Sequence, residues 1–155
     1  MRRAAAIAVT AGLAMSVAGC GGDSGPTKAS FAKEFSAERA ELRALGADVG
    51  TAVSTARHRS DAALATEFAA LGERATKLAG SLGQLGAPKA YRGDLLSLQS
   101  SVTQVAGTLH AIQAAALAHD ATAARAGGEA IVTDAAQVKT YTGVLSTKLG
   151  LPASP

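Results

Sequence analysis

From Ser30 to Leu149 the larger apolar residues recur in steps of four and three, and this spacing constrains the fold more than any other feature of the chain. An α-helix completes a turn in about 3.6 residues, so such steps keep side chains on one stripe, the pattern of helices packed side by side. A first stripe runs Phe31, Phe35, Glu38, Leu42, Leu45, Val49, Ala52 and Ala56, with Glu38 its one charged member. A second runs Leu64, Phe68, Leu71, Ala75, Leu78, Leu82 and Leu85. A third runs Tyr91, Leu95, Leu98, Val102, Val105, Leu109, Ile112 and Ala116. The fourth is weaker, with Ile131, Ala135, Val138, Thr142, Leu145 and Leu149. No stretch alternates with period two for long enough to argue for a strand.

The residues between the stripes are helix punctuation. Ser30 is placed to cap the first helix, and Glu34 follows where the helix dipole favours an anion. Ser60-Asp61 separates the first helix from the second and offers an N-cap. Gly86-Ala87-Pro88 ends the second and opens the third. Asp120 is positioned to cap the fourth. Lys148, Gly150 and Pro152 end it with a cation, a C-terminal glycine and a breaker. Every connection is short, so neighbouring helices run antiparallel. The expected fold is all-α, a single up-down-up-down four-helix bundle over residues 30–152.

The core of such a bundle is thin. Alanine dominates the sequence, and the aromatic residues are three Phe and two Tyr. Alanine favours helix but buries little apolar area, at about 25 cal/mol per Å². Gly127-Gly128, early in the fourth helix, costs up to about 1 kcal/mol per glycine relative to alanine, so a frayed or bent segment is expected there. The topology also assigns ends. Ser30, the turn at Gly86 and the C-terminus share one end, towards which Phe31, Phe35, Tyr91 and Tyr141 gather. Arg57-His58-Arg59 and His119-Asp120 share the other.

The first 29 residues read differently. Arg2 and Arg3 precede an apolar run, Ala4 to Ala18, that ends in Val17-Ala18-Gly19-Cys20. The run covers about 15 residues, short of the ~20 that a spanning helix needs. A positive start, a short apolar run and small residues before the end are the marks of a signal peptide. The four-residue string resembles a lipobox, and residues 1–20 are similar to the N-terminus of bacterial lipoproteins. That resemblance implies cleavage between Gly19 and Cys20, a diacylglyceryl group on the Cys20 sulfur and acylation of the new amino group. Two or more acyl chains meet the requirement for stable anchoring. The implied partner is the lipid bilayer, and the implied address is the extracytoplasmic face of the cell membrane. Residues 20–29 then form a flexible tether: the nine residues from Gly21 to Ala29 reach about 30 Å at most when extended.

Removing residues 1–19 takes 19 of the 155 residues and leaves 136. Two of the 15 Lys and Arg go with them, so 13 stand against 12 acidic residues, a net charge of +1. The sequence pI of 9.3 therefore describes mainly the leader, and a nucleic-acid partner is not expected. Both methionines, Met1 and Met15, lie in the leader too.

Few residues carry recognisable chemistry. A lone cysteine excludes an internal disulfide, a cysteine zinc site and an attached haem. His58, Asp61, His119 and Asp120 meet at the end away from the tether, where imidazole and carboxylate suit zinc or copper. No two histidines share a helix face, however, Asp61 and Asp120 sit at helix starts, and His58 lies between two arginines. A resident metal is not expected. His110 lies beside the third stripe, and without a methionine partner haem is not expected either. The glutamates include no Glu-x-x-His pair for di-iron chemistry. Glu38 reads as a boundary carboxylate paired with Arg92 or Lys148, or else as a buried one with a raised pKa. No nucleophile elbow and no phosphate loop occurs.

Residues 71–152 are also similar to the small Ala-rich helical lipoproteins of high-GC bacteria. The likeness rests on the Leu85-Gly86-Ala87-Pro88 turn and the stretch from Ala118 to Arg125, and implies no activity. The expected function is a non-enzymatic envelope lipoprotein whose bundle binds a protein or envelope component. The alternative is a metal or small-ligand carrier, using His58 and His119 at the far end or the bundle interior.

Overall fold

The computed structural model describes residues 25–152, and all regular structure within them is helical. Four helices, α1 (Lys28–Thr55), α2 (Asp61–Gln84), α3 (Arg92–Leu117) and α4 (Ala121–Leu149), pack as a four-helix bundle. Short 3₁₀ turns, Ala56–His58 and Lys89–Tyr91, help to form the first two connections. The expected leader, Cys20 and the first residues of the expected tether lie outside the described residues.

Helix ends follow the local hydrogen-bonding chemistry. α1 begins earlier than Ser30. The Thr27 hydroxyl accepts the Ser30 N–H at 3.1 Å, and the Ser30 hydroxyl accepts the Thr27 N–H at 3.1 Å. This reciprocal capping box satisfies two end donors, so Lys28 and Ala29 form the first turn instead of tether. Ser60 caps α2 by accepting the Ala63 N–H at 3.3 Å. Asp120 caps α4 by accepting from the N–H groups of Thr122 and Ala123 at 3.0 and 2.9 Å. α4 ends on Gly150 in the left-handed region at φ 75°, where the Leu151 N–H reaches back to the Ser146 carbonyl at 3.0 Å.

The α3–α4 turn uses the same device with a different residue. His119 takes φ 56°, its N–H reaches the Ala116 carbonyl at 3.1 Å, and the Asp120 N–H reaches the Ala115 carbonyl at 2.9 Å. Histidine enters this region more readily than most residues with a side chain.

The inward stripes are the expected ones, with instructive departures. Phe31, Phe35, Phe68, Leu82, Leu98, Leu109, Ile131 and Leu145 are fully buried. In α1, Glu38 is only half-buried, and Arg39 takes the buried position between Phe35 and Leu42. A step of four from Phe35 reaches Arg39 and three more reach Leu42, and the long apolar stem of the arginine can follow the stripe. Phe31 packs on Phe35 and Tyr91 at ring-centroid distances of 6.1 and 5.8 Å, closing the end of the bundle where α1 begins. Tyr141 does not join this stack; it is 37% exposed on the outer side of α4.

The two glycines of α4 do not break it. The helix passes through Gly127 and Gly128 without interruption, so the expected fray does not occur there. A Cβ on Gly127 would stand 2.5 Å from Ile112 Cγ1, so this glycine admits α3 at close range. Next along the same seam, Asp134 is buried at 4% exposure. It accepts hydrogen bonds from Gln104 Nε2 at 2.6 Å and the Thr108 hydroxyl at 2.7 Å. No described helix is long and apolar enough to cross a membrane.

Candidate binding cleft between α1 and α4

The four seams of the bundle are not equally closed. α3 packs closely against both α2 and α4, α1 meets α2 less extensively, and α1 and α4 barely touch. The residues facing the last gap explain it. On α4 the positions facing this gap between Ile131 and Leu145 are Ala135, Val138 and Thr142, flanked by Ala136 and Gly143. On α1 they include Gly46 between Leu45 and Val49. None of these α4 residues is long enough to bridge the gap, and what remains is a cleft of about 1080 Å³ floored by Val102 and Val105 of α3. That volume lies just above the usual range for small-molecule sites, about 300–1,000 Å³.

The polar groups of the cleft are asymmetric. Arg39, Arg43 and Lys139 line it, together with hydroxyls from Thr142, Ser146 and Thr147, and no carboxylate lines it. Arg39 is the unusual member, at 9% exposure. Its Nη1 donates to the Pro152 carbonyl at 2.9 Å and the Ser146 hydroxyl at 3.4 Å, while its buried Nε has no partner. The Thr142 hydroxyl is likewise buried without a partner. Among the described residues the ion pairs lie elsewhere, at Arg59–Glu67, Arg74–Glu41, Arg74–Asp48, His119–Asp61 and Lys148–Asp94. A guanidinium taken this far from water normally sits against a carboxylate, because its lost hydration is otherwise poorly replaced.

The chain matches no family model, no curated protein and no solved structure. The functional reading therefore rests on the residues.

Those singled out in the sequence are distributed as follows. At the end of the bundle opposite the start of α1, His119 Nδ1 lies 2.6 Å from Asp61 Oδ2, so one imidazole and one carboxylate do meet. His58 is not part of that pair; its Nε2 accepts from Arg57 Nε at 2.9 Å. Asp120 is engaged as the α4 cap. Among the described residues no three His, Cys, Asp or Glu side chains gather as a metal-binding group. His110 lies against Gly72 of α2 and bonds Gln113 at 3.2 Å.

Glu38 pairs with neither expected cation. Lys148 Nζ instead holds both oxygens of Asp94 at 2.9 and 2.7 Å, and Arg92 Nε donates to the Ala87 carbonyl at 3.1 Å. Partial loss of hydration, with the nearby Glu41 charge, raises the Glu38 pKa from its ordinary value. The cleft and Arg39 were missed by stripe analysis. The usable signals were an arginine one step of four beyond Phe35, and glycines and alanines on the two helices that close the ring.

Proposed function

We propose that this chain is a lipid-anchored, non-enzymatic binding module of the bacterial cell envelope that takes a small ligand into the cleft between α1 and α4. The anchor is Cys20, read from Val17-Ala18-Gly19-Cys20, and it holds the bundle at the extracytoplasmic face of the cell membrane. The cleft carries the ligand reading: about 1080 Å³ of largely apolar space, open between two helices that elsewhere in the bundle would touch. Its charged side chains are two guanidinium groups and one ammonium, donors without an acceptor site, which suit holding an anion. Of the two carrier routes open from the sequence, the bundle interior is favoured over His58 and His119.

Two experiments test this reading. Cell fractionation should find the wild-type chain in the membrane and Cys20→Ser soluble or as an uncut precursor. A fully cleaved Cys20→Ser chain that stays membrane-bound would remove the anchor from the proposal. For the cleft, Gly46→Leu combined with Gly143→Leu fills open space, since a Cβ at either glycine meets nothing within 4 Å. Native mass spectrometry should show a bound small molecule on wild type and its loss from the filled variant. Identical spectra for the two proteins would defeat the cleft as a binding site.

A further inference from the structure

We infer that the ligand of this cleft is a long-chain carboxylic acid, its carboxylate held by Arg39 and its tail laid along α1 towards Val49. The inference rests on the cleft being a binding site and adds the chemistry of its occupant. Two independent observations point the same way. One is the lining: three cations, Arg39, Arg43 and Lys139, with no acidic side chain to neutralise them. The other is the orphaned Nε of Arg39, a donor in a side chain 9% exposed, with no partner for that donor and no carboxylate paired to the guanidinium.

Arginine binds carboxylates best through two parallel N–H donors, and one such edge of the guanidinium consists of Nε and Nη2. In Arg39 the hydrogen bonds use Nη1, which fixes the group to Ser146 and Pro152 and leaves Nε, enclosed by protein, without a partner. A carboxylate in the cleft would supply the missing counter-charge, and a small rotation of the guanidinium, bringing its enclosed Nε towards the cleft, would pair that donor as well. Arg43 and Lys139, on the exposed margins of the cleft, add attraction for an anion without requiring its desolvation.

The apolar part has a matching direction. Leu42, Leu45 and Val49 continue from Arg39 along α1, with Val102, Val105 and Val138 opposite. From Arg39 to Val49 is ten residues, a helical rise of about 15 Å, so head and tail are separated along one axis. An amphiphile with an anionic head and one extended tail fits that order. A compact polar anion would leave the apolar length uncovered, and a neutral hydrocarbon would leave Arg39 unpaired.

The test uses the full lipidated chain in its native membrane and two probes, a diazirine-bearing palmitic acid and its methyl ester. After photolysis, mass spectrometry maps the labelled residues. The acid should label the peptides containing Leu42–Val49 and Val102–Val105. The ester, and the acid on Arg39→Met, should label them at least about tenfold less, the weight of one charge-assisted hydrogen bond. Arg39→Met keeps most of the apolar stem, and circular dichroism checks that it folds. The acid–ester comparison on the unaltered chain stands even where that variant does not fold. Equal labelling by ester and acid would overturn the carboxylate assignment while leaving the cleft as an apolar binding site. Absence of cleft labelling by either probe, or crosslinks joining the Gly46 regions of two copies, would overturn the small-ligand reading itself.

Discussion

The α2–α3 seam and the α1–α4 seam use similar residues and reach opposite results. Both helix pairs carry leucine, valine, alanine and glycine on their facing sides. At α2–α3, two glycines face larger side chains. Gly72 receives the His110 ring, whose Cε1 would stand 2.8 Å from an added Cβ, and Gly83 receives the Gln99 amide. Phe68, Leu82, Leu98 and Leu109 fill the remaining space and are fully buried. At α1–α4, Gly46 and Gly143 face the same cleft, and a Cβ on either would meet nothing within 4 Å. A small residue brings helices together only where the partner offers a side chain to fill the notch. Where it does not, the lining atoms lose contacts and space is left.

That contrast can be broken by mutation, most strongly at the closed seam. Phe68→Ala removes a fully buried ring and should cost about 3–5 kcal/mol in chemical denaturation, against about 1 kcal/mol or less for Val138→Ala beside the cleft. Comparable losses at the two positions would mean that the cleft is not open in solution. Alanine at individual glycines sharpens the comparison further. Gly127→Ala should destabilise by about 1–3 kcal/mol, because the new methyl group enters the space of Ile112. Gly128→Ala and Gly46→Ala, which meet open space, should each raise stability by about 0.5–1 kcal/mol through helix propensity. A stabilising Gly127→Ala would show that α3 and α4 are further apart than described.

The smallest effect expected is at Glu38, on the buried stripe's margin beside Arg39. Its raised pKa means that the folded chain binds this proton more tightly than the unfolded chain does. Stability therefore falls as pH rises from the ordinary carboxylate range through the raised value. Glu38→Gln should flatten that fall and leave the protein slightly more stable at neutral pH, read from melting temperatures across pH 4 to 8. An unchanged profile would place Glu38 in full solvent.

The legible and illegible parts of this molecule divide on a physical line. Ser60, Asp120 and Gly150 announced their roles because caps act within three or four residues of themselves. Thr27 and Ser30 show the limit of that rule: both can cap, and the reciprocal bond between them chose the earlier start. Arg39 and Glu38 are adjacent, and a step of three or of four from Phe35 reaches one or the other. Charge gave no reason to prefer the arginine. Gly127 looked like a weak point because its intrinsic propensity is poor, a local property that close packing against Ile112 overrides. Asp134 carried no local sign of burial; its partners, Gln104 and Thr108, are on another helix.

Periodicity and capping, both short-range, were enough in the sequence alone to specify four helices, their approximate ends, their inward faces and their antiparallel order. The proposed membrane address at Cys20 is also purely sequential, since a lipobox is read as a linear string. Only the tertiary structure decided which seams close. That depends on whether side-chain volumes from distant parts of the chain come into register, and no stripe taken singly contains that information. Pairing residues around 39–49 with residues around 135–146 across α3 left space unfilled and a guanidinium without its acid.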